Sequence, residues 1–139
     1  MKVSDVMTRD VQVAAPTDTI ADVARRMSAI DSGVIPIAEG GRIVGVITDR
    51  DIVVRVVGEG RDNEIPVSEV MTSPVETCLA GDSLKSATKK MADLQMRRLV
   101  ILDETGALAG ILSLGDVARE HSARAVGHTL EEIVEDDPK

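Results

Sequence analysis

The sequence predicts an α+β (α/β) fold made of two copies of one unit, and three observations carry that prediction. Val3-Ser4-Asp5-Val6-Met7-Thr8 returns as Val67-Ser68-Glu69-Val70-Met71-Thr72, a shift of 64 residues that also pairs Asp18 with Asp82, Met27 with Met91 and Ile37 with Ile101. Within each copy the apolar spacing switches between strand-like and helix-like in one fixed order. The correspondence also survives an insertion. AEGG becomes LDETG, the shift grows to 65, and Gly45 then pairs with Gly110, Thr48 with Ser113 and Asp51 with Asp116. The copies run over 2–60 and 66–122, joined by the polar link Arg61-Asp62-Asn63-Glu64-Ile65 and followed by a tail, 123–139.

Each copy reads as short strand, helix, strand, strand, helix. VQVAAP and VETCLAG are short extended pieces closed by a Pro or Gly turn. Asp18 and Asp82 stand where helix N-caps belong, ahead of Ile20, Val23, Ala24 and Met27 in one copy and Leu84, Ala87, Met91 and Leu94 in the other. Two strand-like runs follow in each copy, 34–38 with 42–47 and 98–102 with 107–112, split by Glu39-Gly40-Gly41 and Glu104-Thr105-Gly106, which suit hairpins. A last helix is expected from Asp51 and from Asp116. The helices are apolar on one side, so each copy should pack its helices on one face of a small sheet.

Composition narrows the function. The 139 residues are 43% apolar and 29% charged, the balance of a globular chain. The net charge of −8 opposes non-specific nucleic-acid binding, which needs a basic footprint to displace counterions, and opposes anionic membranes. With no Phe, Tyr or Trp there is no stacking platform for single strands, and a nucleobase held here would lie between aliphatic side chains. MKVSDVMTRD has no apolar signal core, and the longest apolar stretch, 52–57, is broken by Arg55. Cys78 is the only cysteine and reads as a small core hydrophobe; a cytoplasmic protein is expected.

The sharpest local feature is GVITDRD at 45–51, matched by GILSLGD at 110–116. Both read Gly-apolar-apolar-Thr/Ser-x-x-Asp at a strand-to-helix junction. There a hydroxyl and a carboxylate stand beside helix N–H groups that attract phosphate, and the carboxylate suits the two hydroxyls of a ribose. The same spacing is also a capping box, in which these groups only satisfy the orphan donors of the helix start. Both readings stand. Nothing else suggests chemistry. His121 and His128 are far from each other and from Cys78, Asp49 and Asp51 are too close for a glycosidase-like pair, and Gly58-Glu59-Gly60 is a loop rather than a phosphate cradle. No catalytic residue and no metal site is expected, and Met27 and Met91 belong to core faces.

The DVMT and EVMT openings, the VIPI and LVIL strands and the tandem Gly-apolar-apolar-Thr/Ser-x-x-Asp motif resemble the CBS-domain family over residues 2–122. That resemblance implies two repeats packed about a pseudo-two-fold axis as a Bateman module, with two clefts for AMP, ADP, ATP or S-adenosylmethionine, and frequent homodimers. It implies a stand-alone, non-catalytic regulatory protein with a downstream protein partner and no obligatory cofactor. Carried over by position, Thr48 and Asp51 serve one cleft, completed by Gln95 to Arg98, with Arg97, Arg98 and neighbouring Arg50 as phosphate ligands. Ser113 and Asp116 serve the other, completed by Asp31, Ser32, Gly33 and Val34, with no basic residue and Gly115 in place of Arg50. The Asp51 cleft is therefore expected to be the better phosphate site. Val11, Val13 and Pro36, or Val75, Thr77 and Val100, are the implied aliphatic walls. The competing reading is a ligand-free dimerisation scaffold whose Thr/Ser-x-x-Asp pairs only cap helices. In the tail, Val126, Leu130, Ile133 and Val134 have the spacing of a short amphipathic helix.

Overall fold

The computed structural model describes residues 1–124; the expected tail helix and His128 lie outside them. The first copy contributes a 3₁₀ turn at Val3–Asp5, α1 (Ile20–Ile30), β1 (Val34–Glu39), β2 (Arg42–Thr48) and α2 (Asp49–Ile52), which runs on as a π-helical stretch, Val53–Val57. The second contributes a 3₁₀ turn at Val67–Glu69, β3 (Thr77–Leu79), α3 (Leu84–Leu94), β4 (Arg98–Leu102) and β5 (Leu108–Ser113). A helix over 114–124, here α4, follows β5. The fold is the mixed α+β arrangement that the periodicity implies.

Local chemistry accounts for most of the boundaries. Thr19 and Ser83 cap α1 and α3 by accepting Asp22 N–H and Ser86 N–H, so the caps lie one residue after the expected Asp18 and Asp82. Those aspartates instead close the turns just before, where their carboxylates accept Ala15 N–H and Leu79 N–H at 2.8 and 2.9 Å. Adjacent residues of cap type compete for the position, and the turn wins the aspartate. Both helices end on a residue in the left-handed region, Asp31 at φ 51° and Gln95 at φ 53°. The last helix of each copy begins two residues ahead of expectation, at Asp49 and at 114, because Asp51 and Asp116 sit in the first turn rather than before it.

Two small sheets result. β1 and β2 pair antiparallel through a turn in which Gly40 and Gly41 both have positive φ, the geometry of a two-residue hairpin. β4 pairs antiparallel with β5 and parallel with β3. The inserted residue of the second hairpin is absorbed by Asp103. Its carboxylate accepts Thr105 N–H and Ala107 N–H, and these bonds with the Thr105 hydroxyl hold it below the usual carboxylate range. The expected strand at VQVAAP reduces to one parallel bridge between Ala14 and Ile37, whereas its counterpart pairs over three residues as β3.

The two cores do not follow the two copies. One gathers Ile20, Val23 and Met27 of α1 and Ile35, Ile37 and Ile47 of the first sheet, and it is completed by Val67 and Val70 from the second copy's opening turn. The other gathers Ala87, Met91, Leu99, Ile101 and Leu112, completed by Val3 and Met7 from the first copy's opening turn. Backbone bonds fix the exchange. Thr8 and Ile111 donate to each other's carbonyls at 2.8 and 2.9 Å, and Thr72 and Val46 do the same at 2.8 and 3.1 Å. Cys78 packs half-buried on the second core, and burial pushes its thiol pKa up.

The exchange explains the glycine that opens each motif. A Cβ on Gly110 would lie 2.5 Å from the Thr8 carbonyl oxygen, and one on Gly45 would lie 2.3 Å from the Met71 sulfur. The first obstacle is backbone held by two hydrogen bonds; the second is a flexible side chain that can turn aside. Gly110→Ala is therefore expected to lower stability by about 2 kcal/mol, and Gly45→Ala by clearly less, as read from urea denaturation midpoints.

Candidate functional site

Thr48 and Asp51 form a reciprocal capping box at the end of β2. Asp51 N–H donates to the Thr48 hydroxyl at 3.1 Å, and Thr48 N–H donates to Asp51 Oδ2 at 3.0 Å. Ser113 and Asp116 repeat it at the end of β5, with 3.0 and 3.1 Å. The capping reading of both motifs is thus realised. It fixes each carboxylate at a helix start, where the free N–H groups and helix dipole favour negative charge.

The surroundings of the two carboxylates differ. The Asp51 side chain is 14% exposed and lies 3.9 Å from Arg55 Nε, while Arg55 Nη1 donates to the Val70 carbonyl at 2.8 Å. Arg55 thereby ties α2 to the exchanged turn. Asp116 is 8% exposed, and its carboxylate takes three side-chain or backbone donors. Oδ2 accepts Ser113 N–H and, at 3.4 Å, the Thr8 hydroxyl; Oδ1 accepts Arg119 Nη2.

Asp116 and Ser113 lie in the wall of a cleft of about 600 Å³ formed by both copies. The exchanged turn brings Thr8, Asp10 and Val11 to one side, and the end of α1 brings Ile30 to Val34 to another. Arg98 and Arg119 complete it. That volume falls in the range of small-molecule sites. The segment Asp31 to Val34 faces the Asp116 cleft, as the family resemblance implies.

Arg98 corrects the expected charge distribution. It opens β4 and stands directly across from Ser113 of β5, and it lines the Asp116 cleft. The Asp116 cleft, expected to hold no basic residue, carries two. Arg97 is exposed, and its carbonyl accepts Leu114 N–H at the start of α4; Arg50 is exposed beside Asp51. Among the implied walls only Val11, with Gly33, lines this cleft. Pro36 is buried in β1 opposite Val46, and Val13 is exposed with its carbonyl accepting from Arg26. Val75 and Thr77 line a separate groove at the hairpin ends, beside Arg42. Thr8 and Arg119 were not singled out by sequence. Thr8 closes the repeated VMT block, a signal that was available; Arg119 has no counterpart in the other copy and gave none.

The model of the CBS domain matches the chain twice, over residues 3–58 and 67–123. The chain belongs to the CBS domain family. It is 40% identical over 132 residues to the CBS domain-containing protein YhcV of Bacillus subtilis, covering 94% of each chain. A structure of an uncharacterized conserved protein from Pyrococcus horikoshii superposes with a TM-score of 0.80 at 27% identity, covering 86% of this chain and 91% of the other. A CBS domain protein from Pyrobaculum aerophilum complexed with AMP superposes at 0.77 with 28% identity, covering 84% and 89%. The protein is a CBS pair, the architecture of a regulatory module. Among the described residues no helix is long and apolar enough to cross a membrane.

The capping geometry sets a stability expectation that is independent of any ligand. Ser113→Ala removes the hydroxyl that accepts Asp116 N–H, and should cost about 1 kcal/mol, measured by thermal unfolding with Thr48→Ala as the matched variant.

Proposed function

We propose that the protein binds an adenine nucleotide or related adenosyl ligand (AMP, ADP, ATP or S-adenosylmethionine) and relays its presence by changing association with a protein partner. The observation that carries this is the cleft where Asp116, pinned by its capping box, meets Ser113, Arg98 and Arg119 of its own copy and Thr8 of the other. The carboxylate suits ribose hydroxyls, the guanidiniums suit phosphate, and Val11, Ile30 and Ile111 offer aliphatic contact to a base. The AMP complex of the Pyrobaculum aerophilum relative supports the adenosyl class. With Arg98 on this side, the Asp116 cleft becomes the preferred phosphate site, and the Thr48–Asp51 position, repeated by duplication, the second.

One observation favours the scaffold reading instead. Both capping boxes are complete among the protein's own groups, so neither aspartate needs a ligand to be satisfied. Titration separates the two readings. Without aromatic residues the protein is nearly silent at 260 nm and bound nucleotide dominates its spectrum. Calorimetry with AMP, ADP, ATP and S-adenosylmethionine should show binding, and Asp116→Ala should weaken it at least about tenfold through loss of a charged acceptor. A stoichiometry of two would report the Asp51 position as well. No heat with any of the four would leave the scaffold reading standing.

Our reading also includes a homodimer. Val53, Val54 and Val57 are 60, 52 and 70% exposed on one short helical stretch, an apolar patch on a strongly acidic chain. A second copy covering it would bury like against like with no unpaired charge. Val57→Asp should then convert the dimer to monomer in multi-angle light scattering; an unchanged mass places the contact elsewhere.

A further inference from the structure

Arg119 and a ribose would compete for the same carboxylate oxygen. Asp116 Oδ2 is committed to Ser113 N–H and the Thr8 hydroxyl, and Oδ1 accepts Arg119 Nη2. A ribose diol that needs both oxygens must loosen the arginine. The partners are not equally movable. Asp116 is 8% exposed and built into the start of α4, whereas the Arg119 side chain is 75% exposed and, among the described residues, anchored through that ion pair alone. Arg119 is the one to move.

Resting on the adenosyl reading of this cleft, we propose that Arg119 is its specificity-determining residue, selecting phosphorylated adenosyl ligands over uncharged ones. A ligand without phosphate displaces the guanidinium from Asp116 and returns it to water, so the ion pair is lost with nothing gained. A ligand with phosphate gives the guanidinium a new anionic partner in the same cleft, beside Arg98, as it surrenders the carboxylate to ribose. The exchange conserves charge pairing only for the phosphorylated ligand. Asp10 and Asp31, exposed in the cleft wall, further disfavour a phosphate that lacks the arginines.

The distinguishing signature is opposite signs. Calorimetric titration of the full chain with adenosine and with AMP compares the natural protein with Arg119→Met and Arg119→Lys. In Arg119→Met, AMP affinity should fall about tenfold as a charge-assisted bond is lost. Adenosine affinity should rise about threefold as the ion pair to Asp116 no longer competes. Arg119→Lys should recover most of the AMP affinity. If both ligands shift in the same direction, or neither shifts, the selective role of Arg119 is overturned while adenosyl binding stands. If the natural protein binds neither ligand, the adenosyl reading falls and this inference with it. Melting temperatures of the variants within about two degrees of the natural protein, as expected for an exposed side chain, keep misfolding out of the comparison.

Discussion

Val3 and Met7 complete the core of the second copy, and Val67 and Val70 complete the core of the first. Each such burial stabilises by about 2 kcal/mol, and each is made between halves rather than within one. Neither copy closes its own core, so the pair folds as one body. The exchange also builds the cleft. Thr8 leaves the exchanged turn bonded to Ile111, and that contact carries Thr8, Asp10 and Val11 into the wall opposite α1. Gly45 and Gly110 follow from the same constraint, since the exchanged turns pass too close for a side chain.

Capping and ligand binding are often weighed as alternatives for a Thr/Ser-x-x-Asp motif. On the adenosyl reading of the cleft, the first prepares the second. A carboxylate bonded to a backbone N–H at a helix start has lost its rotamer freedom before any ligand arrives, so less entropy remains to be lost on binding. Asp116 keeps one oxygen for the cap, and among the described residues an exposed arginine is what holds the other.

How far the sequence reveals this molecule depends on range. The hairpin turns and the capping boxes rest on neighbours within four residues, the duplication on direct repetition of residue types, and all three read correctly. The caps at Thr19 and Ser83 were misplaced by one residue because Asp18 and Asp82 are equally good cap residues, and only backbone conformation separates them. The exchange of opening turns rests on pairings well outside local range, Val46 with Thr72 and Thr8 with Ile111, and leaves no periodic trace. That Arg98 lines the Asp116 cleft was not foreseen, for a related reason. Its position at the start of β4 was legible, but which cleft it lines depends on its cross-strand partner, Ser113.

The two last helices show how duplicated units diverge without disturbing the scaffold. Counting from the motif aspartate, the first copy has arginine at the fourth residue, Arg55, and valine at the third, Val54; the second has Arg119 at the third and Glu120 at the fourth. One residue is about 100° around a helix. That rotation takes the arginine from the exchanged turn, where Arg55 holds the Val70 carbonyl, into the cleft, where Arg119 holds Asp116. The positions of the apolar patch change in step: Val53, Val54 and Val57 correspond to Ala118, Arg119 and Ser122. One copy of the helix therefore presents valines to its surroundings and the other presents a guanidinium to the cleft. Because the capping boxes are untouched, a single scaffold holds an exposed apolar patch on one last helix and a cleft-lining arginine on the other.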